Sequence, residues 1–267
     1  MFLPLRRHRA ALCRADWPGL AHLQGMLEAR HPRPLSGGGA ALRFVAPARR
    51  GRALEDQYEA RIYLKGEVPL RPANWHDLMN ALVWLTFPRA KAALNARHYR
   101  ALQQQRAAGA LNRGPTQDAL TLFDEGGLIV AAADDSLLGM LRAFSWKELF
   151  WHSRARVVSQ MRFYPFGHAL YEKALRPFPG ITGHALLFSV DRGFLECGMD
   201  EQTARLDAML EARLLDAACW HSTRELSPVP VLGVPGWCAD NGSADYYDDR
   251  TCFRAGRRGG GAGRDTP

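Results

Sequence analysis

The chain has 267 residues, 47% of them apolar and 23% charged. That is enough to bury most of its unfolded surface in one large domain or two small ones, without help from a disulfide or a metal. The formal charge of +8 suggests a nucleic-acid protein until it is mapped: residues 1–52 hold ten Arg against two acids and residues 253–267 four against one, while the stretch between carries 21 basic and 24 acidic side chains.

From the N-terminus, residues 1–13 read as a basic arm. Its basic residues follow a short apolar stretch, the reverse of a secretory leader, and no run reaches the ~20 apolar residues of a membrane span. The five Cys show no C-x-x-C spacing, which fits free thiols in a reducing compartment. A cytoplasmic protein is expected.

The spacing of Trp17, Leu20, Leu23 and Leu27 predicts a helix within 14–31. The Pro- and Gly-rich segment 32–39 predicts a loop, and residues 42–45 a short strand. Tyr58 to Leu64 alternates and reads as a second strand, turned at 66–69. Asn74 is placed as the N-cap of a buried helix over 75–87, which Pro88 ends or kinks. A more polar and more exposed helix is expected over 89–108. Residues 119–131 read as a β-hairpin turning at Asp124-Glu125. Two short helices follow, with Asp135 or Ser136 capping the first and Ser145 with Glu148 forming a capping box for the second. A helix over 167–176, a strand over 183–190 and an amphipathic helix over 199–217 complete the regular elements. The chain beyond Leu226 reads as irregular, and 255–267 as a disordered Arg/Gly tail. This pattern predicts an α+β fold dominated by helices, a single domain over 14–254 with several short strands, since strands and helices do not alternate as in a doubly wound sheet.

The chain lacks G-x-S-x-G, H-E-x-x-H, a P-loop and a dinucleotide-binding G-x-G-x-x-G. What remains is a set of ionisable groups at element ends. On the helix that starts after Asn74, His76, Asn80 and Trp84 share one stripe. A His and an Asn among apolar neighbours need partners, because an unsatisfied buried polar group costs roughly 1–3 kcal/mol. His168 and Glu172 are four apart on another helical face, where they can share a metal or the carboxylate can orient the imidazole. Asp124 and Glu125 at a turn, and His184 at a strand mouth beside Gly183, complete the set. Arg113 and Asp118 are placed to pair across a short turn.

The catalytic candidates are therefore His76, Asp77, His168 and Glu172. Arg71, Asn80 and Lys91 are candidates for binding an anionic substrate, and Asp124 and His184 for holding a divalent metal. The same residues also suit ordinary roles as caps and paired core polar groups. The leading functional expectation is a hydrolase-like enzyme. The alternative is a non-catalytic binding module that engages nucleic acid or an acidic protein partner through its Arg-rich termini. A third is an adaptor that exposes Trp146, Phe150 and Trp151.

The segments Gly66–Arg71, Asn74–Pro88, Asp118–Glu125, Phe166–Glu172 and Leu232–Trp237 resemble a proteobacterial family of proteins classed as domain of unknown function 3025. The likeness runs from about residue 14 to residue 254. Where the family pattern suggests a basic residue before Asp118, this chain has Gln117. The resemblance implies one domain and no particular activity, cofactor or partner.

Overall fold

The computed structural model describes residues 1–13, 16–47, 53–110 and 112–256. Helices predominate. They are α1 Arg9–Leu12, α2 Leu20–Glu28, α3 Tyr58–Lys65, α4 Trp75–Thr86, α5 Pro88–Ala107, α6 Pro115–Gly126, α7 Asp135–Arg142, α8 Arg154–Gln160, α9 His168–Ala174, α10 Arg192–Glu196 and α11 Met199–Leu215. The strands are β1 Arg43–Val45, β2 Glu67–Pro69, β3 Gly127–Ala132, β4 Met161–Pro165, β5 Thr182–Ser189 and β6 Ser227–Pro230. Strands β1 and β2 form a small parallel pair, and the other four form a sheet in the order β4-β3-β5-β6.

β3 organises that sheet. It runs antiparallel to β4 and parallel to β5, and β6 closes the far edge antiparallel to β5. All six β3 residues are buried, as expected of an apolar strand covered on both faces. Successive side chains point to opposite faces. Ile129 and Ala131 therefore join the larger core, built from α4, α5, α6 and α11, while Leu128, Val130 and Ala132 join a second core with Leu137, Leu141, Phe150 and Val229. No described helix is long and apolar enough to cross a membrane.

Helix α4 starts where the sequence places it. The Asn74 side chain accepts the Asp77 amide at 3.0 Å, and every residue from Asp77 to Thr86 is buried. Pro88 opens α5 after the single linking residue Phe87. The N-terminal half of α5 is not exposed as expected: Ala90, Lys91, Ala93, Leu94, Asn95, Ala96, His98 and Tyr99 are buried, because α11 and α3 cover it. Its N-terminus is capped from α11, where Asp207 accepts the amides of Ala90 and Arg89 at 2.8 and 3.2 Å.

Other expectations need correction. Residues 58–65 form helix α3, not a strand; Gly66 ends it at φ 67°, a left-handed conformation suited to glycine, and the predicted turn 66–69 runs into β2. The hairpin over 119–131 is absent: α6 runs through Gly126 and passes straight into β3. Alternation in Ala119 to Phe123 suits a strand, but Ala119, Leu120 and Phe123 also share a helical face and all three are buried. Asp134, one residue earlier than expected, caps α7 through the Ser136 amide. Ser145 and Glu148 make no capping box, and Glu148–His152 is a π-helical turn. Strands β4 and β6 were not anticipated.

The basic arm is folded onto the body. Leu5 is fully buried in the larger core, and Arg6 and Arg7 pair with Asp200 at 3.1 and 3.7 Å. Most of the Arg/Gly tail, from residue 257 on, lies outside the described residues. Trp146 and Phe150 are core residues and Trp151 is half-buried, so they present no adaptor face.

Candidate functional site

A cleft of about 1140 Å³ opens beside α4, bounded by α3, the C-terminal half of α5 and one side of α6. Its floor is polar, and two close packings build it. Gly167 precedes α9, and its amide bonds the Gly127 carbonyl at 2.9 Å. A side chain there would place its Cβ 2.3 Å from the Glu125 carbonyl oxygen and 2.4 Å from the Gly127 nitrogen. Only glycine lets the start of α9 reach the α6–β3 junction, and that contact brings His168 to Asp124 on the last turn of α6. Helix α9 also packs on α4, which brings Glu172 and His168 to His76.

Five predicted residues thus meet in one chain of contacts. Glu172 Oε2 lies 3.2 Å from His76 Nδ1. His76 Nε2 lies 3.0 Å from His168 Nε2, with the rings edge to face. His168 Nδ1 faces Asp124 Oδ2 at 3.8 Å, beyond hydrogen-bond reach, and has no other partner. Asp124 Oδ1 bonds Lys91 Nζ at 2.5 Å, and that ammonium lies over the Trp84 ring. The outer end is open to solvent, with the side chains of His76 and Glu172 35% and 43% exposed; the inner end is closed, with Lys91 at 4%.

The electrostatics follow this gradient. Burial pulls His168 down to about 4, against the attraction of Asp124. Burial pushes Asp124 upward, but Lys91 and His168 outweigh it, and the carboxyl lies below its ordinary value. Lys91 therefore neutralises a buried carboxylate and lies outside the cleft lining.

Asp77 is a structural anchor. It accepts the Arg71 backbone amide at 2.7 Å and two guanidinium nitrogens at 2.8 and 2.7 Å. Burial raises its pKa, but these bonds from Arg71 bring it below the usual carboxylate range. The pair fixes the loop ahead of α4 at the cleft wall. Asn80, one turn beyond His76, donates to the Tyr58 hydroxyl at 2.7 Å, while its Oδ1 is buried without a partner. Burial, with Glu59 close by, holds the Tyr58 hydroxyl well above its ordinary pKa.

The two residues expected to hold a metal are engaged separately. Asp124 is engaged by Lys91, and His184 sits behind Gly126, outside the cleft lining, with its pKa lowered by burial and by Lys173. Among the described residues no three His, Cys, Asp or Glu side chains gather as a metal-holding group. Glu125 lines the cleft. No ion pair joins Arg113 to Asp118 among the described residues. Sequence reading missed Tyr58, His98 and Gln117, which also line the cleft. Tyr58 was hidden by its assignment to a strand; His98 follows Lys91 by seven residues, two turns along the same side of α5, a spacing that could have revealed it.

Fold and floor together define a helix-dominated α+β protein with a polar, ionisable cleft. The chain belongs to the family described as protein of unknown function (DUF3025), whose model matches residues 42–257, a span that includes the whole cleft floor. No curated protein and no solved structure matches it.

Proposed function

We propose that the cleft is the active site of a hydrolase-like enzyme whose reacting centre is the His76–His168 pair. The observation that carries this reading is the 3.0 Å approach of two Nε2 atoms at the floor of an open cleft, with Glu172 at 3.2 Å from the other nitrogen of His76 and Asp124 facing that of His168 at 3.8 Å. An imidazole backed by a carboxylate is held in orientation and is stabilised when it takes up a proton. A water above the pair can pass its proton to an unprotonated Nε2 while its oxygen attacks an electrophilic carbonyl or phosphoryl centre. The imidazolium then returns the proton to the leaving group. Glu172 supports the charge on His76. Asp124 supports it on His168, with its own charge balanced by Lys91. Asn80 and Tyr58 provide polar contacts beside the reacting atoms.

The test is a panel of chromogenic esters and phosphoesters assayed with wild type, His76→Ala and Glu172→Gln. General acid–base catalysis predicts a loss of about 10²–10⁴-fold for His76→Ala. Turnover that survives His76→Ala, or no turnover with any member of the panel, removes the reading.

A further inference from the structure

We propose that the two Nε2 atoms of His76 and His168 are the protein ligands of a divalent first-row transition-metal ion. The proposal uses the imidazole pair of the functional reading above, but it is decided by metal binding alone.

The argument begins with protons. Two imidazole nitrogens 3.0 Å apart cannot both present lone pairs to each other, so without an ion one of them must carry a hydrogen. If it sits on His168 Nε2 of a neutral ring, then His168 Nδ1 is a bare lone pair, buried and facing the carboxylate of Asp124. If it sits on His76 Nε2, the Nδ1 that faces Glu172 must be bare, or the ring must be a cation. The first arrangement strands a buried nitrogen, and the second either leaves Nδ1 without a hydrogen for Glu172 or makes His76 a cation paired with that carboxylate. A metal ion supplies an arrangement without that choice: both Nε2 atoms become ligands and both rings carry their hydrogen on Nδ1, where His76 meets Glu172 at 3.2 Å and His168 faces Asp124 at 3.8 Å. That pattern of ligand imidazoles backed by carboxylates is the usual outer support of a metal site.

The spacing fits. With metal–nitrogen bonds of about 2.0–2.1 Å, a 3.0 Å separation of the two nitrogens subtends roughly 95° at the metal. An angle near 90° suits ions of octahedral or tetragonal geometry, such as nickel or cobalt, more closely than strictly tetrahedral zinc. Imidazole donors select such ions over magnesium. The candidate for a third donor is an amide oxygen, not a His, Cys, Asp or Glu side chain. Asn80 lies one turn beyond His76 on the same stripe of α4, lines the cleft, and has a buried Oδ1 with no partner. The remaining positions open to the cleft, where water or substrate can bind. The ion would then lower the pKa of water in place of an imidazole lone pair.

The experiment is calorimetric titration of chelator-stripped protein with Ni²⁺, Co²⁺ and Zn²⁺, with Mg²⁺ as the control, alongside thermal melting and the visible absorption of the Co²⁺ form. Wild type should bind one equivalent of at least one transition ion and melt at a higher temperature with it, and should ignore Mg²⁺. His76→Ala should abolish that binding. Glu172→Gln, a change at a half-exposed position that leaves both ligands in place, should weaken it roughly 10–100-fold. Absence of binding by all three transition ions overturns the proposal. So does equal binding by wild type and His76→Ala, which would assign the ion to other imidazoles. A failed hydrolysis panel leaves a positive titration standing.

Discussion

Asp207 Oδ1 accepts the Ala90 amide at 2.8 Å, so a carboxylate on α11 caps the helix that carries Lys91 and His98. The bond links a remote helix to the alignment of the cleft. Replacing a cap by Ala typically costs about 0.5–2 kcal/mol. Asp207→Ala should therefore lower stability by about that amount in urea unfolding, whereas Asp207→Asn, which keeps one acceptor, should lose less.

The same carboxyl gives a pH signature. Burial, opposed by its backbone bonds, pushes Asp207 up to about 6 from 3.8. The folded state then binds more protons than the unfolded state between those values, so this group's contribution is complete below about pH 4 and is lost as pH rises through 6. Asp207→Asn should flatten the fall in stability over that window. A slope identical in wild type and variant would refute the assignment.

His8 works in the opposite sense. Burial, with Arg7 adding to it, pulls His8 down to about 4 from 6.5. The unfolded chain binds more protons between those values, so this contribution is complete above about pH 6.5 and is lost as pH falls toward 4. His8→Gln should make stability less sensitive to acid across that range. Since His8 and Asp207 act over overlapping windows with opposite slopes, the two variants should tilt the wild-type profile in opposite directions.

Gly167→Ala inserts a methyl where the Glu125 carbonyl oxygen lies 2.3 Å away. Backbone must move to admit it. We expect a loss of about 1–3 kcal/mol, as for other overpacked sites, read as a drop in the urea midpoint.

Lys91→Met should be among the most damaging single changes at the site, at about 3–5 kcal/mol, because it strands the buried charge of Asp124. Lys91→Met with Asp124→Leu should recover much of that loss. Urea unfolding of the two single variants and the double variant measures the coupling directly.

The parts of this fold that were legible in the sequence rest on local chemistry. Asn74 capping α4, Pro88 separating α4 from α5, and the apolar spacing of α11 depend only on near neighbours. The segments misread were short and had two possible periods. Tyr58–Lys65 alternates like a strand, yet its partner is α5, and only that packing selects the helix. Residues 115–126 become helical because Ala119, Leu120 and Phe123 bury one face. At the site, His76, His168, Glu172 and Asp124 could be identified as polar residues needing partners, and the structure brings them together, leaving only His168 Nδ1 among them unpartnered. Their pairing was not legible, because it depends on Gly167 fitting against a junction some forty residues earlier. The partners of Lys91 and Asp77 were not legible either, because single residues do not reveal that Asp124 and Arg71 hold them.

β3 supplies alternate side chains to both hydrophobic layers, so each layer shares its wall with the other. Neither layer can melt without exposing the strand that the other packs against. Heating should produce one calorimetric peak, and a fragment cut on either side of residues 127–132 should not hold a native fold.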